Sequence, residues 1–154
     1  MASATKITNL PGPWSMYGYP EAATYTTNLT GTNNDLTYTA KSKSTSGNSV
    51  TITYVVAGAN TPLTVSVTGN AITVNVATNG SSAATSTAAQ VQAAVAASSP
   101  AAALVSAANA TGNDGTGVVT AMSVQTLTGG RDGGTARGAA GWTRVAARPR
   151  RSIF

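Results

Sequence analysis

A chain of 154 residues has the length of one domain with extensions. Hydrophobic residues reach 42% but are mostly Ala and Val, and charged residues are only 8%, against roughly 25% in an average soluble domain, so the expected molecule has a thin core and is a subunit buried among neighbours rather than a free enzyme. The absence of Cys and His excludes a disulfide framework, a thiol nucleophile, a thiolate metal site and a Ser-His-Asp arrangement.

The net charge of +5 is unevenly placed. Up to residue 130, Lys6, Lys41 and Lys43 balance Glu21, Asp35 and Asp114, whereas six arginines from Arg131 onward face only Asp132. The first residues, Met1 to Ile7, lack the apolar core of a signal peptide, and no run approaches the roughly 18 apolar residues of a membrane span. The expectation is a soluble product made in the cytoplasm, with no membrane partner.

Residues 1–30 hold Pro11, Pro13, Pro20, Trp14, Tyr17, Tyr19 and Tyr25 without a sustained period. Proline favours extended backbone, and this stretch reads as an N-terminal arm whose aromatics pack on their own domain or anchor in a neighbour. A β-rich domain is expected over residues 31–130. After the turn 31–35, alternation begins at Leu36-Thr37-Tyr38-Thr39-Ala40, resumes at Val50, Ile52, Tyr54 and Val56, and again at Leu63, Val65 and Val67. Gly69-Asn70 separates that run from Ile72, Val74 and Val76, a strong hairpin signal. Ser86 or Thr87 caps a predicted helix over Ala88–Ala97, with Ala88, Val91, Ala94 and Val95 on one face. Pro100 ends that helix or starts another short turn. Leu104 to Ala108 reads as a strand, Asn109 to Gly117 as a turn, and Val118 to Leu127 alternates before Gly129-Gly130. The predicted fold class is α+β, a mainly antiparallel, sandwich-like β domain with one helix packed on a sheet and an extended arm at each end.

Residues 131–154 form the expected basic C-terminal arm, with Trp142, Val145, Ile153 and Phe154 as apolar anchors. Its arginines allow three readings: paired hydrogen bonds to carboxylates of a protein neighbour, salt-sensitive phosphate binding, or a solvated tail. Trp142, Ile153 and Phe154 favour the first, because a nucleic-acid arm needs no bulky apolar terminus. The predicted partner-binding residues are Trp14, Tyr17, Tyr19, Arg137, Trp142, Arg144, Arg148, Arg150, Arg151 and Phe154.

The residues leave little room for catalysis or for a cofactor. Lys41 and Lys43 lie in a Ser/Thr/Gly turn where nothing would depress a lysine pKa to activate a serine. No two acids are paired at helical or strand spacing. Asn33-Asn34-Asp35 and Asn113-Asp114-Gly115 offer one carboxylate each, which suits turns better than Ca²⁺. The expectation is a protein without catalytic residues, metal or cofactor.

Several stretches in order, Asn34 to Lys41, Gly47 to Tyr54, Val65 to Val74, Ser86 to Val91, Gly112 to Gly115 and Leu127 to Gly130, resemble a module of virion structural proteins of tailed bacteriophages over roughly residues 32–130. The resemblance implies a binding or scaffolding role without catalysis, as in head decoration, minor capsid, fibre or other tail components. It implies major capsid protein or other virion subunits as partners, copies of the chain in one particle, and location in the virion. The arms lie outside the module and are expected to choose the place within the particle. The alternatives are a tail or fibre component, or a nucleic-acid-binding accessory protein using the arginines.

Overall fold

The computed structural model describes residues 18–133. Seven strands in two sheets and two helices follow in the order β1 (Thr24–Thr26), β2 (Leu36–Ala40), β3 (Thr51–Val55), β4 (Thr64–Thr68), β5 (Ala71–Asn75), α1 (Ala88–Ala97), α2 (Ser99–Leu104), β6 (Val105–Asn109) and β7 (Met122–Thr126). One sheet has the order β1-β2-β6 and the other β4-β5-β3-β7.

Alternation does in the strands what their composition requires. Leu36, Tyr38 and Ala40 of β2 are buried while Thr37 and Thr39 are partly exposed. Ile52 and Tyr54 of β3, with Ile72 and Val74 of β5, repeat the pattern on the other sheet. Tyr38 and Tyr54 meet across the sheets, their rings edge-on at 6.5 Å and 72° and their hydroxyls 2.5 Å apart. The expected hairpin forms, with Val65 opposite Val74 and Thr68 opposite Ala71 across Gly69-Asn70. Gly69 has φ +58, the left-handed backbone that a two-residue hairpin turn asks of its first residue.

Four strand pairings are antiparallel, but β3 and β5 run parallel, with Ile52 opposite Ile72. The chain leaves β3, passes over one strand position, lays down β4 at the edge, and returns as β5 between them. The crossing loop is tied to the segment after β5: Thr78 Oγ1 donates to Gly58 O at 2.8 Å, and Thr78 N–H donates to Thr61 O at 3.0 Å.

The helix α1 spans the predicted residues, and Thr87 rather than Ser86 caps it. Thr87 Oγ1 accepts from Gln90 N–H at 3.3 Å and Gln90 Oε1 accepts from Thr87 N–H at 2.9 Å, a reciprocal capping box. Ser86 is buried and accepts from Ala77 N–H instead. Ala88, Val91 and Val95 face the core, with Ala94 half-buried beside them. Pro100 opens a second, six-residue helix, α2, so the single expected helix is followed by a short partner; proline fits because the first helical turn needs no N–H from it.

Two boundaries move. Residues 20–30 were expected in an arm, yet Thr24–Thr26 pairs with Thr37–Thr39, Ala23 and Leu29 are buried, and Asp35 accepts from Thr27 Oγ1 and Leu29 N–H at 2.9 and 2.8 Å. At the other end Arg131 and Asp132, expected in the basic arm, belong to the folded unit. Three residues are too few for a visible period, and the pairing that makes β1 a strand lies far away in sequence. Gly117 shows how closely the loops approach: a Cβ there would collide with Thr32 O and Asn33 C.

Candidate interaction surface

The two ends of the described chain meet at one corner. Glu21 and Arg131 exchange two backbone hydrogen bonds of 3.0 Å, and Thr24 and Thr128 exchange two of 2.8 and 3.0 Å. The Arg131 guanidinium reaches the Glu21 carboxylate at 3.6 Å. Asp132 accepts from Thr45 N–H at 3.1 Å and from Thr45 Oγ1 at 2.9 Å. Asn48 grips Gly130 at both ends of its amide, donating to the carbonyl at 3.0 Å and accepting from the N–H at 2.8 Å. Gly133 lies beside the Pro20 ring. The chain therefore enters and leaves the unit side by side.

Of the predicted partner-binding residues, Tyr19 stands at this corner and is 88% exposed. Trp14, Tyr17, Arg137, Trp142, Arg144, Arg148, Arg150, Arg151 and Phe154 lie outside the described residues. Tyr25, grouped with the arm aromatics in sequence, is part of β1, half-buried, its hydroxyl 3.9 Å from Met122 Sδ. Glu21, Arg131 and Asp132 were missed as corner residues; only the opposite signs of Glu21 and Arg131 hinted at it, across a separation that no local pattern spans.

Charge is segregated. Lys41, Lys43 and Arg131 stand against Glu21, Asp35, Asp114 and Asp132 within residues 18–133, while Lys6 and five arginines lie outside them. The described unit is slightly acidic, and the whole positive excess sits on its flanks.

The described residues hold several small polar clusters. Asp35 is spent on Thr27 and Leu29. Asp114 takes both the Thr116 hydroxyl, at 2.7 Å, and its N–H, at 2.9 Å, and the hydroxyl first and the N–H second hold its carboxyl below the usual value. Ser42, Ser44 and Ser46 bond one another at 2.6 to 2.9 Å, hydroxyl to hydroxyl. No cluster of three His, Cys, Asp or Glu occurs among the described residues. Depressions of 150 Å³, around Ala40, Gly47 and Leu104, and 540 Å³, around Val55, Met122 and Val124, carry no charged side chain. No helix of the described residues is long and apolar enough to cross a membrane.

Comparison with protein-family models, with curated proteins and with solved structures finds no match.

Proposed function

We propose that this chain is a non-enzymatic structural protein of a tailed-phage virion, a capsid decoration or minor capsid protein whose flanks fasten it to the major capsid protein lattice. The observation that carries the reading is the corner formed by Glu21, Thr24, Thr128 and Arg131. A unit with little net charge is flanked in sequence by aromatics on one side and arginines on the other, and both flanks attach at one point, which suits docking to a common neighbour. The two sheets are read as the layers of a sandwich, with Tyr38 and Tyr54 meeting between them. The resemblance of residues 32–130 to virion modules supplies the class of particle.

Arginine pairs with carboxylates through two parallel hydrogen bonds, and Trp and Tyr supply apolar anchors; the flanks hold both kinds of group. Paired flanks also act together, because docking one raises the effective concentration of the other. A chain ending at Gly133 is expected to fold but to be lost from purified particles, measured as copies per particle. Undiminished incorporation would sink the docking role.

The arginines outside the described residues favour one further reading, an accessory protein that binds nucleic acid. Its signature is steep salt dependence: each phosphate contact contributes a slope of about −0.9 in log affinity against log salt on duplex DNA. A flat response leaves the protein-docking reading in place.

A further inference from the structure

The outer edge of β4 is unlike the other sheet edges. Thr128 and Arg131 bridge to the β1 side. β7 is bulged, Ser123 and Val124 standing together opposite Thr53, and β6 has the fuller cover of α1, whereas α1 and α2 reach β4 more lightly and take none of its backbone hydrogen bonds among the described residues. β4 has no proline, bulge or charge, the devices by which edge strands avoid pairing with other chains. Across the two-residue turn, Thr64, Ser66 and Thr68 spend their backbone groups on β5. The N–H and C=O of Val65 and Val67 therefore point outward, and no partner reaches them among the described residues.

We propose that this edge joins a second copy of the chain, antiparallel, about a two-fold axis at Ser66. The strand reads Thr64-Val65-Ser66-Val67-Thr68, the same in both directions. Two-fold pairing sets Thr64 opposite Thr68 of the partner subunit and Val65 opposite Val67 of the partner subunit, so hydroxyl meets hydroxyl and valine meets valine. Such pairs of β-branched and hydroxyl side chains are among those that stabilise antiparallel strands. The parity of the ladder agrees. Val65 and Val67, whose groups point outward, become the hydrogen-bonded positions, while Ser66 falls on the axis at a non-hydrogen-bonded position, where side chains come closest.

Electrostatics does not oppose the pairing, because no residue from Ser44 to Asn113 is Asp, Glu, Lys or Arg. Two such surfaces meet without like charges, and the contact is isologous, so it closes as a dimer rather than growing into a fibre. The product is one continuous sheet in the order β7-β3-β5-β4-β4-β5-β3-β7. This pairing does not depend on the virion reading, since purified chain alone suffices to form it.

Sedimentation velocity on the purified full chain, across a concentration series, tests the proposal. A reversible dimer is expected. Ser66 is exposed, so Ser66→Lys and Ser66→Glu leave the fold intact, as an unchanged circular dichroism spectrum will show. Each places like charges face to face on the axis and is expected to weaken the dimer at least about tenfold. An equimolar mixture of the two, with Lys facing Glu, is expected to recover it. A wild-type chain that stays monomeric overturns the proposal. Slow amide exchange at Val65 and Val67 in that monomer would assign the edge to another segment of the same chain, and fast exchange to solvent. A dimer that survives Ser66→Lys, or a mixture that fails to recover it, overturns the proposal as well.

Discussion

Among the described residues Tyr38 and Tyr54 are the largest fully buried side chains, and their hydroxyls meet inside the core. Burial is the main cause that pushes both phenols above their ordinary range; for Tyr54 the neighbouring Tyr38 adds to it, whereas for Tyr38 the Tyr54 hydrogen bond offsets it in part. One hydroxyl donates to the other, which accepts. Tyr38→Phe or Tyr54→Phe strands one buried hydroxyl and is expected to cost about 1–3 kcal/mol, while the double replacement costs less than the two singles added, because nothing polar is left unpaired. Urea unfolding of the three variants measures this. The pair also sets an alkaline limit. Below pH about 10 folded and unfolded chains both keep their phenol protons, and the stability is fully present. As pH rises further, the unfolded chain ionises first, so stability falls by up to about 1.4 kcal/mol per pH unit for each tyrosine. The double Phe variant should lose the part of that slope that Tyr38 and Tyr54 supply, read between pH about 10 and 11.

At the scale of elements, the capping box of α1 has no charged residue to assist it, since the first turn holds no acid and the last no base. Thr87→Ala removes the acceptor for Gln90 N–H and is expected to cost about 1 kcal/mol, read from thermal unfolding. Ser86→Ala tests the other candidate cap and instead frees Ala77 N–H, which takes no part in the helix. The elements that could be read from sequence were those whose signal is local. The β4–β5 hairpin announces itself through Gly69-Asn70, and α1 through a cap at Ser86 or Thr87 followed by Ala88, Val91, Ala94 and Val95 on one face. Strand order could not be read that way. Side chains alternate with the same period beside a parallel or an antiparallel neighbour, so Val50 to Val56 and Ile72 to Val76 give no sign that β3 and β5 run the same way. β1 was hidden for the converse reason, because Thr24-Tyr25-Thr26 becomes a strand only through Thr37–Thr39 and Thr128. Of the predicted partner-binding residues, Tyr19 alone falls within the described chain, and its exposure could not be deduced from a proline-rich stretch without a period.

For the whole molecule, what matters is that sequence-distant ends close one corner. The Glu21–Arg131 ion pair contributes little by itself, because its side chains are 59% and 75% exposed and water screens them. The backbone bonds of Glu21 and Thr24, and the Asn48 grip on Gly130, hold the corner more firmly, since they fix main chain at a partly buried seam. Comparing a chain that ends at Leu127 with one that ends at Gly133 separates these contributions. The shorter chain loses both bridges, the Asn48 clamp and the Asp132–Thr45 contact, and is expected to be less stable by at least about 2 kcal/mol in urea unfolding, at roughly 1 kcal/mol for each net hydrogen bond before any rearrangement. Amide exchange at Thr24, whose N–H donates to Thr128 O, should become fast in that chain and stay slow in the longer one. Glu21→Ala in the full chain, which keeps every backbone bond, should shift stability by less than about 1 kcal/mol. Equal stability of the two shortened chains would mean that the ends are merely adjacent and that the corner does not direct the flanks.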